Sequence, residues 1–314
     1  MSGQPSVTPA TPVTPATSVG EATAASDTAP GDVDEPLPGA AENTDAVEPV
    51  PGSEVADHAE GSEASRGYGP YLLGLADDAM VYAQRLAEWL TNAPQIEEDM
   101  ALGNISLDLL GQARGLYPYI GSIDGTQRSE DDFAMQRDER DWHNVHLVEQ
   151  ERGDFADEMA RLLWFSAYQV KLHTALADST DAVVAGVAGK ALKEVRYHLD
   201  HASLWVVRLG DGTEDSHRRM QAALERVLPY VAELFDDDEA AVSAAETGVG
   251  PVPSSLLEPV TARVAAVVAQ ATLTLPEGSR WRSRGGRQGV HSRPMGYLLA
   301  EMQHLARSHP GVSW

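Results

Sequence analysis

A helical period governs this chain, and residues 190–205, KALKEVRYHLDHASLW, show it most plainly. Counting from Val187, the positions Ala191, Val195, His198, Ala202 and Trp205 step by three or four residues, a spacing that only an α-helix gathers on one face. All but one of these side chains suit a core. His198 is the exception, with Glu194 one turn before it. Such a histidine is half of a metal site built between helices, the remnant of one, or a core residue with a hydrogen-bonding neighbour.

The period recurs along the chain. Residues 71–90 carry Leu72, Leu75, Ala79, Tyr82, Leu86 and Trp89 on one face, with Asp77 and Asp78 in the early turns. The break over 91–94 is short, so a second helix over 96–117 must run antiparallel to the first. Its stripe holds Leu102, Ile105, Leu109, Gln112 and Leu116. Further helices are predicted over 155–176, capped by Asp154, and over 181–209, 216–235, 254–273 and 295–307. No segment sustains the two-residue alternation of a strand, so the class is all-α.

The long charged connection over 121–154 suits the crossover of a ferritin-like bundle. The expected architecture is a ferritin-like four-helix bundle with additional C-terminal helices, formed by residues 67–314. Residues 1–66 are Thr-, Pro- and Ala-rich, then acidic, with almost no large apolar side chains. Such a stretch cannot offset its ordering entropy and is expected to be a disordered extension, either inert or partner-seeking.

The chain contains no cysteine, which excludes disulfides, thiolate metal sites and thiol nucleophiles and suits the cytoplasm. A formal net charge of −25 opposes nucleic acid and anionic membrane surfaces alike. Nothing approaches the ~20 apolar residues of a membrane span, and no secretory signal is expected at the N-terminus. There is no nucleotide-binding glycine loop and no serine or cysteine elbow.

A ferritin-like di-iron site takes one carboxylate from each of two helices and a Glu-x-x-His pair from each of the other two. The residues three apart on the second helix are Leu109 and Gln112, and on the later helix Val195 and His198. Neither pair begins with a carboxylate. Asp108 and Glu194 lie one position off, about 100° around the helix. The inner positions of the third helix, around Leu162, Ser166 and Val170, offer no carboxylate, and the first helix proposes only Asp77 and Asp78. Glu214/His217 and Glu301/His304 match the motif formally, one in a polar loop and one on the terminal helix. The expectation is that no residue of this chain is catalytic and none binds metal. Leu109, Gln112, Val195 and His198 then stand at vestigial ligand positions, with His198 hydrogen-bonded to Glu194 or Gln112.

Two other features are open between roles. Arg280, Arg282, Arg284, Arg287 and Arg293, interleaved with Trp281, meet phosphates or an acidic partner, or form a solvated loop. Trp142, in RDERDWHN over 137–144, is an exposed anchor or folds back over the bundle.

Several runs carry a family resemblance: QRLAEW over 84–89, ALGNISLDLLGQAR over 101–114, RDERDWHN over 137–144, LVEQERGDFADEMAR over 147–161, KALKEVRYHL over 190–199 and GYLLAEMQHLARSHPG over 296–311. They resemble, in order and without a large gap from about residue 68 to 314, the C subunit of bacterial phenylacetyl-CoA epoxidase. The resemblance implies a ferritin-like subunit without metal that pairs with a related A subunit. That partner holds a di-iron centre and epoxidises the ring of phenylacetyl-CoA with dioxygen. A small B subunit and a reductase with flavin and iron–sulfur groups, fed by NADPH, complete the implied system. The C subunit is implied to help bound the coenzyme A part of the substrate, at positions matching Asp141, Trp142, His143 and Asn144 and, further on, Val242, Ser243 and Ala244. Arg287-Gln288 stands where the resemblance implies two consecutive basic residues. The rival readings are an autonomous di-iron or ferritin-type metal protein and a helical adaptor with an acidic recruiting tail.

Overall fold

The computed structural model describes residues 63–312, of which 63–66 by backbone alone. Apart from that first helical turn, the extension expected over 1–66 lies outside the described residues. The helices are α1 (Glu63–Ala87), α2 (Ile96–Ile123), α3 (Glu130–Met135), α4 (His146–Glu149), α5 (Phe155–Leu176), α6 (Ala182–Gly210), α7 (Glu214–Val231), α8 (Glu239–Glu246), α9 (Leu257–Gln270) and α10 (Arg293–Ser308). Among the described residues there is no strand, and no helix is long and apolar enough to cross a membrane.

The central bundle is α1, α2, α5 and α6. α1 lies along α2, α5 along α6, and α2 meets α6. Ser106 Oγ donates to the Ala83 carbonyl (2.8 Å) and Tyr117 Oη to Asp77 (2.8 Å), pairing the start of one helix with the end of the other as an antiparallel hairpin requires. Leu72, Tyr82, Leu86, Leu102, Ile105, Leu109, Tyr117, Met159 and Phe165 are fully buried. Each contributes about 1.5–3 kcal/mol of burial free energy, which outweighs the small differences in helix propensity among these residues. α7 and α9 cover the back of α5, and so α5 is buried around nearly its whole circumference.

The caps are local and readable. Asp154 accepts from Asp157 N, and the Asp157 carboxylate answers to Asp154 N, a complete capping box. Asp181 accepts from the amides of Val183 and Val184 at the start of α6. Two segments without a predicted helix are in fact folded. The 121–154 connection contains α3 and α4, and the stretch after residue 235 contains α8, which Asp238 caps through Ala241 N. α8 has small side chains at Ala240, Ala241, Ala244 and Ala245, which favour a helix without writing an apolar period.

Candidate functional site

In the core, Leu109 and Val195 are fully buried, with Gln112 and His198 close by in burial. His198 Nε2 donates to Asp108 Oδ2 at 3.0 Å. The expected partners, Glu194 and Gln112, are therefore replaced by a carboxylate one position off the stripe of the facing helix, which reaches across the α2–α6 seam. Gln112 Oε1 instead accepts from Gln169 Nε2 at 3.1 Å. A second imidazole–carboxylate contact crosses the same seam, with His201 3.1 Å from Glu98. Burial and the neighbouring His198 press the His173 imidazole down to about 4, so it is neutral near pH 7.

The carboxylates of this bundle were the least legible part. α5 does hold one in the interior: Glu158, fully buried, accepts from Tyr82 Oη (2.7 Å) and Trp89 Nε1 (2.9 Å). Asp77 and Asp78 are buried too. Asp77 takes Tyr117 Oη, Arg137 Nη1 (3.0 Å) and His143 N (2.8 Å), while Asp78 takes Val145 N (2.8 Å) and Arg287 Nη2 (2.7 Å). Burial pushes Asp78 up to about 6, against the pull of the Arg287 guanidinium. Every one of these carboxylates is taken up by donors of the protein. Among the described residues no three His, Asp or Glu side chains gather as a metal site.

Against α1 and α5 lies a cleft of ≈ 520 Å³ whose walls include Tyr71, His143, Tyr168, Asp238, Ser243 and Arg287. It brings together one residue from each of the two segments singled out for the coenzyme A region, His143 and Ser243. The others disperse. Asp141 borders a different depression beside Val290 and His291. Trp142 is fully buried with the Arg137 guanidinium 4.2 Å over its ring, so it folds back and is not an exposed anchor. Asn144 is buried and donates to Glu149 at 3.0 Å, Ala244 is buried, and Val242 points to solvent.

The arginine loop divides as well. Arg287 is the one cation among the residues lining the cleft, and it is consumed: besides Asp78 it donates to the carbonyls of Gly74 and His143, both at 2.8 Å. Arg282 pairs with Asp236, and Arg293 donates to Tyr297 Oη. Trp281 is exposed, edge-on to Tyr230. Behind the cleft, residues 283–292 form a strap fastened to buried carboxylates. Glu233 accepts from Gly286 N (2.8 Å), His146 N (2.8 Å) and His146 Nδ1 (2.9 Å). Glu149 accepts from His291 Nδ1 (2.8 Å) and Ser292 N (2.6 Å), while His291 Nε2 faces the Trp142 carbonyl at 2.9 Å. Gly286 sits against the Asn144 carbonyl, where a side chain has no room.

A ring of antiparallel helices, joined across its interior by apolar residues, amides and imidazole–carboxylate contacts, is a helical protein of the ferritin-like class. A family model described as phenylacetic acid catabolic protein matches residues 54–314. The chain is similar to the C subunit of the 1,2-phenylacetyl-CoA epoxidase of Escherichia coli (strain K12), with 43% identity over 244 residues that cover 78% of this chain and 98% of that relative. It belongs to the phenylacetic acid catabolic protein family, which places it in phenylacetate breakdown.

Proposed function

We propose that this chain is a structural subunit of a cytoplasmic phenylacetyl-CoA epoxidase, supporting a catalytic A subunit that holds the di-iron centre. The observation that carries this reading is the filling of the inner positions by Leu109 and Val195, fully buried and unable to coordinate. The small B subunit and the NADPH-fed reductase with its flavin and iron–sulfur groups are the remaining partners. Pairing is supported by an apolar face left open on α2 and α6. Ile96, Met100 and Leu107 share one side of α2, and Tyr197 and Leu204 one side of α6, all at least half exposed. The cleft of His143 and Ser243 is where this chain would bound coenzyme A. It would do so through uncharged groups, since Arg287 is committed to Asp78 and the rim carries Asp236, Asp238 and Glu239.

The test is co-purification with the catalytic subunit. The parent chain is expected to elute with it as one species. Leu107→Glu, at an exposed position, is expected to weaken that association at least tenfold while leaving the melting temperature of the isolated chain unchanged. Two separate peaks for the parent pair would overturn the subunit reading.

A further inference from the structure

Between the central helices lies a small cavity of ≈ 20 Å³. Most of its wall is apolar, with Leu72, Leu116, Phe165 and Leu172 among the lining residues, but Gln112, Gln169 and His173 meet there as well, and Asp78, already held by Arg287, and Tyr168 border it. The bond from Gln169 Nε2 to Gln112 Oε1 uses one half of each amide. The other halves, Gln112 Nε2 and Gln169 Oε1, have no partner, and neither has His173 Nδ1. Turning both amides end for end preserves their mutual bond and again leaves one donor and one acceptor open, so the count is independent of the amide assignment. Unmatched buried polar groups are costly, and three of them at one place weigh heavily against the small margin that holds a domain folded.

We propose that this cavity is a binding site for a single water molecule, which joins α2 to α5 by accepting from Gln112 and donating to Gln169 and to His173. One molecule satisfies all three atoms. Size agrees, because a water needs roughly 10–15 Å³ of such space and a second would not fit. Chemistry agrees as well: a neutral His173 offers a lone pair at Nδ1 when its proton sits on Nε2. This site is independent of the subunit reading and adds a consequence to it. Solvent then occupies the level of the bundle at which Gln112 stands.

Xenon separates a wet cavity from a dry one, since apolar voids stay empty of water and take up the gas. Crystals of the full chain pressurised with xenon are expected to show no xenon here. A high-resolution map of the same crystals should show one solvent peak within about 3.2 Å of the three side chains. In a Gln112→Leu, Gln169→Leu double variant the peak should vanish. If that variant does not fold, His173→Leu serves in its place and should lose the peak or leave it poorly ordered. Xenon in the unmodified cavity, or a map without the solvent peak, overturns the proposal whatever the variants do.

Discussion

Asp77 and Asp78 are neighbours in the chain yet answer to different parts of it, Asp77 to Arg137 and Asp78 to Arg287. Successive helical residues point about 100° apart, so two adjacent acids on one buried helix must find separate partners. Truncating one partner of such a pair leaves a desolvated charge, which costs about 3–5 kcal/mol. Arg287→Ala is therefore expected to lower the unfolding free energy by that amount in urea melts. Arg282→Ala, which breaks an exposed pair with Asp236, should cost less than about 1 kcal/mol. Equal losses would show that Arg287 is no clamp. The sequence placed both acids in the early turns of an amphipathic helix and offered them as that helix's only candidate ligands, without naming a partner for either. Their partners lie 60 and 209 residues away, and no local pattern joins such distances. A local hint did exist: Leu75 and Ala76 precede the pair and Ala79, Met80 and Val81 follow it, leaving little polar surface around it.

At the scale of elements, the helices were legible because burial writes a period into the sequence, and the strap over 283–292 was not, because glycines and arginines write none. Its fastening has a pH signature. His291 faces the Glu149 carboxylate with one ring nitrogen and the Trp142 carbonyl with the other, and both are acceptors, so the ring must carry both protons. His146 meets Glu233 with one ring nitrogen and has the Glu149 carboxylate 3.9 Å from the other. Despite their burial, the carboxylates raise both histidines above the ordinary value of 6.5, and the two imidazoliums oppose each other only weakly. Groups with raised values contribute stability that is fully present below pH 6.5 and is lost as pH climbs through the raised values. His173 acts in the opposite sense. Held at about 4, it withdraws up to roughly 3 kcal/mol as pH falls from 6.5 towards 4. Hydrogen exchange at the amides of Gly286 and Ser292 is thus expected to accelerate beyond its intrinsic rise as pH climbs above 6.5, and Glu149→Gln should remove most of that excess at Ser292. A strap whose protection is constant over this range would exclude the imidazolium latch.

The whole molecule keeps a four-helix core in which buried charge is either matched or removed, and this is what made its inner positions readable in advance. Helical spacing alone placed Leu109 with Gln112 and Val195 with His198, and all four lie inside. What spacing could not supply was the partner of each polar side chain, because Asp108 and Gln169 reach these residues from neighbouring helices. The economy of charge at this level can be tested by reversing it. Leu109→Glu with Val195→Glu inserts two carboxylates at fully buried positions. Gln112 and a neutral His173 carry no charge to neutralise them, and His198 is already engaged by Asp108. Each buried carboxylate costs several kcal/mol, and two together rival the about 5–15 kcal/mol of a whole domain. The double variant is expected to lose cooperative unfolding at pH 8 and to regain part of it near pH 5, where carboxyl groups lifted by burial take up protons. The parent chain, with His173 pulling the other way, should gain nothing from His173 on the same acidification. Were the double variant as stable as its parent at pH 8, the inner positions would not be desolvated. Leucine and valine there would then carry no information about a metal given up.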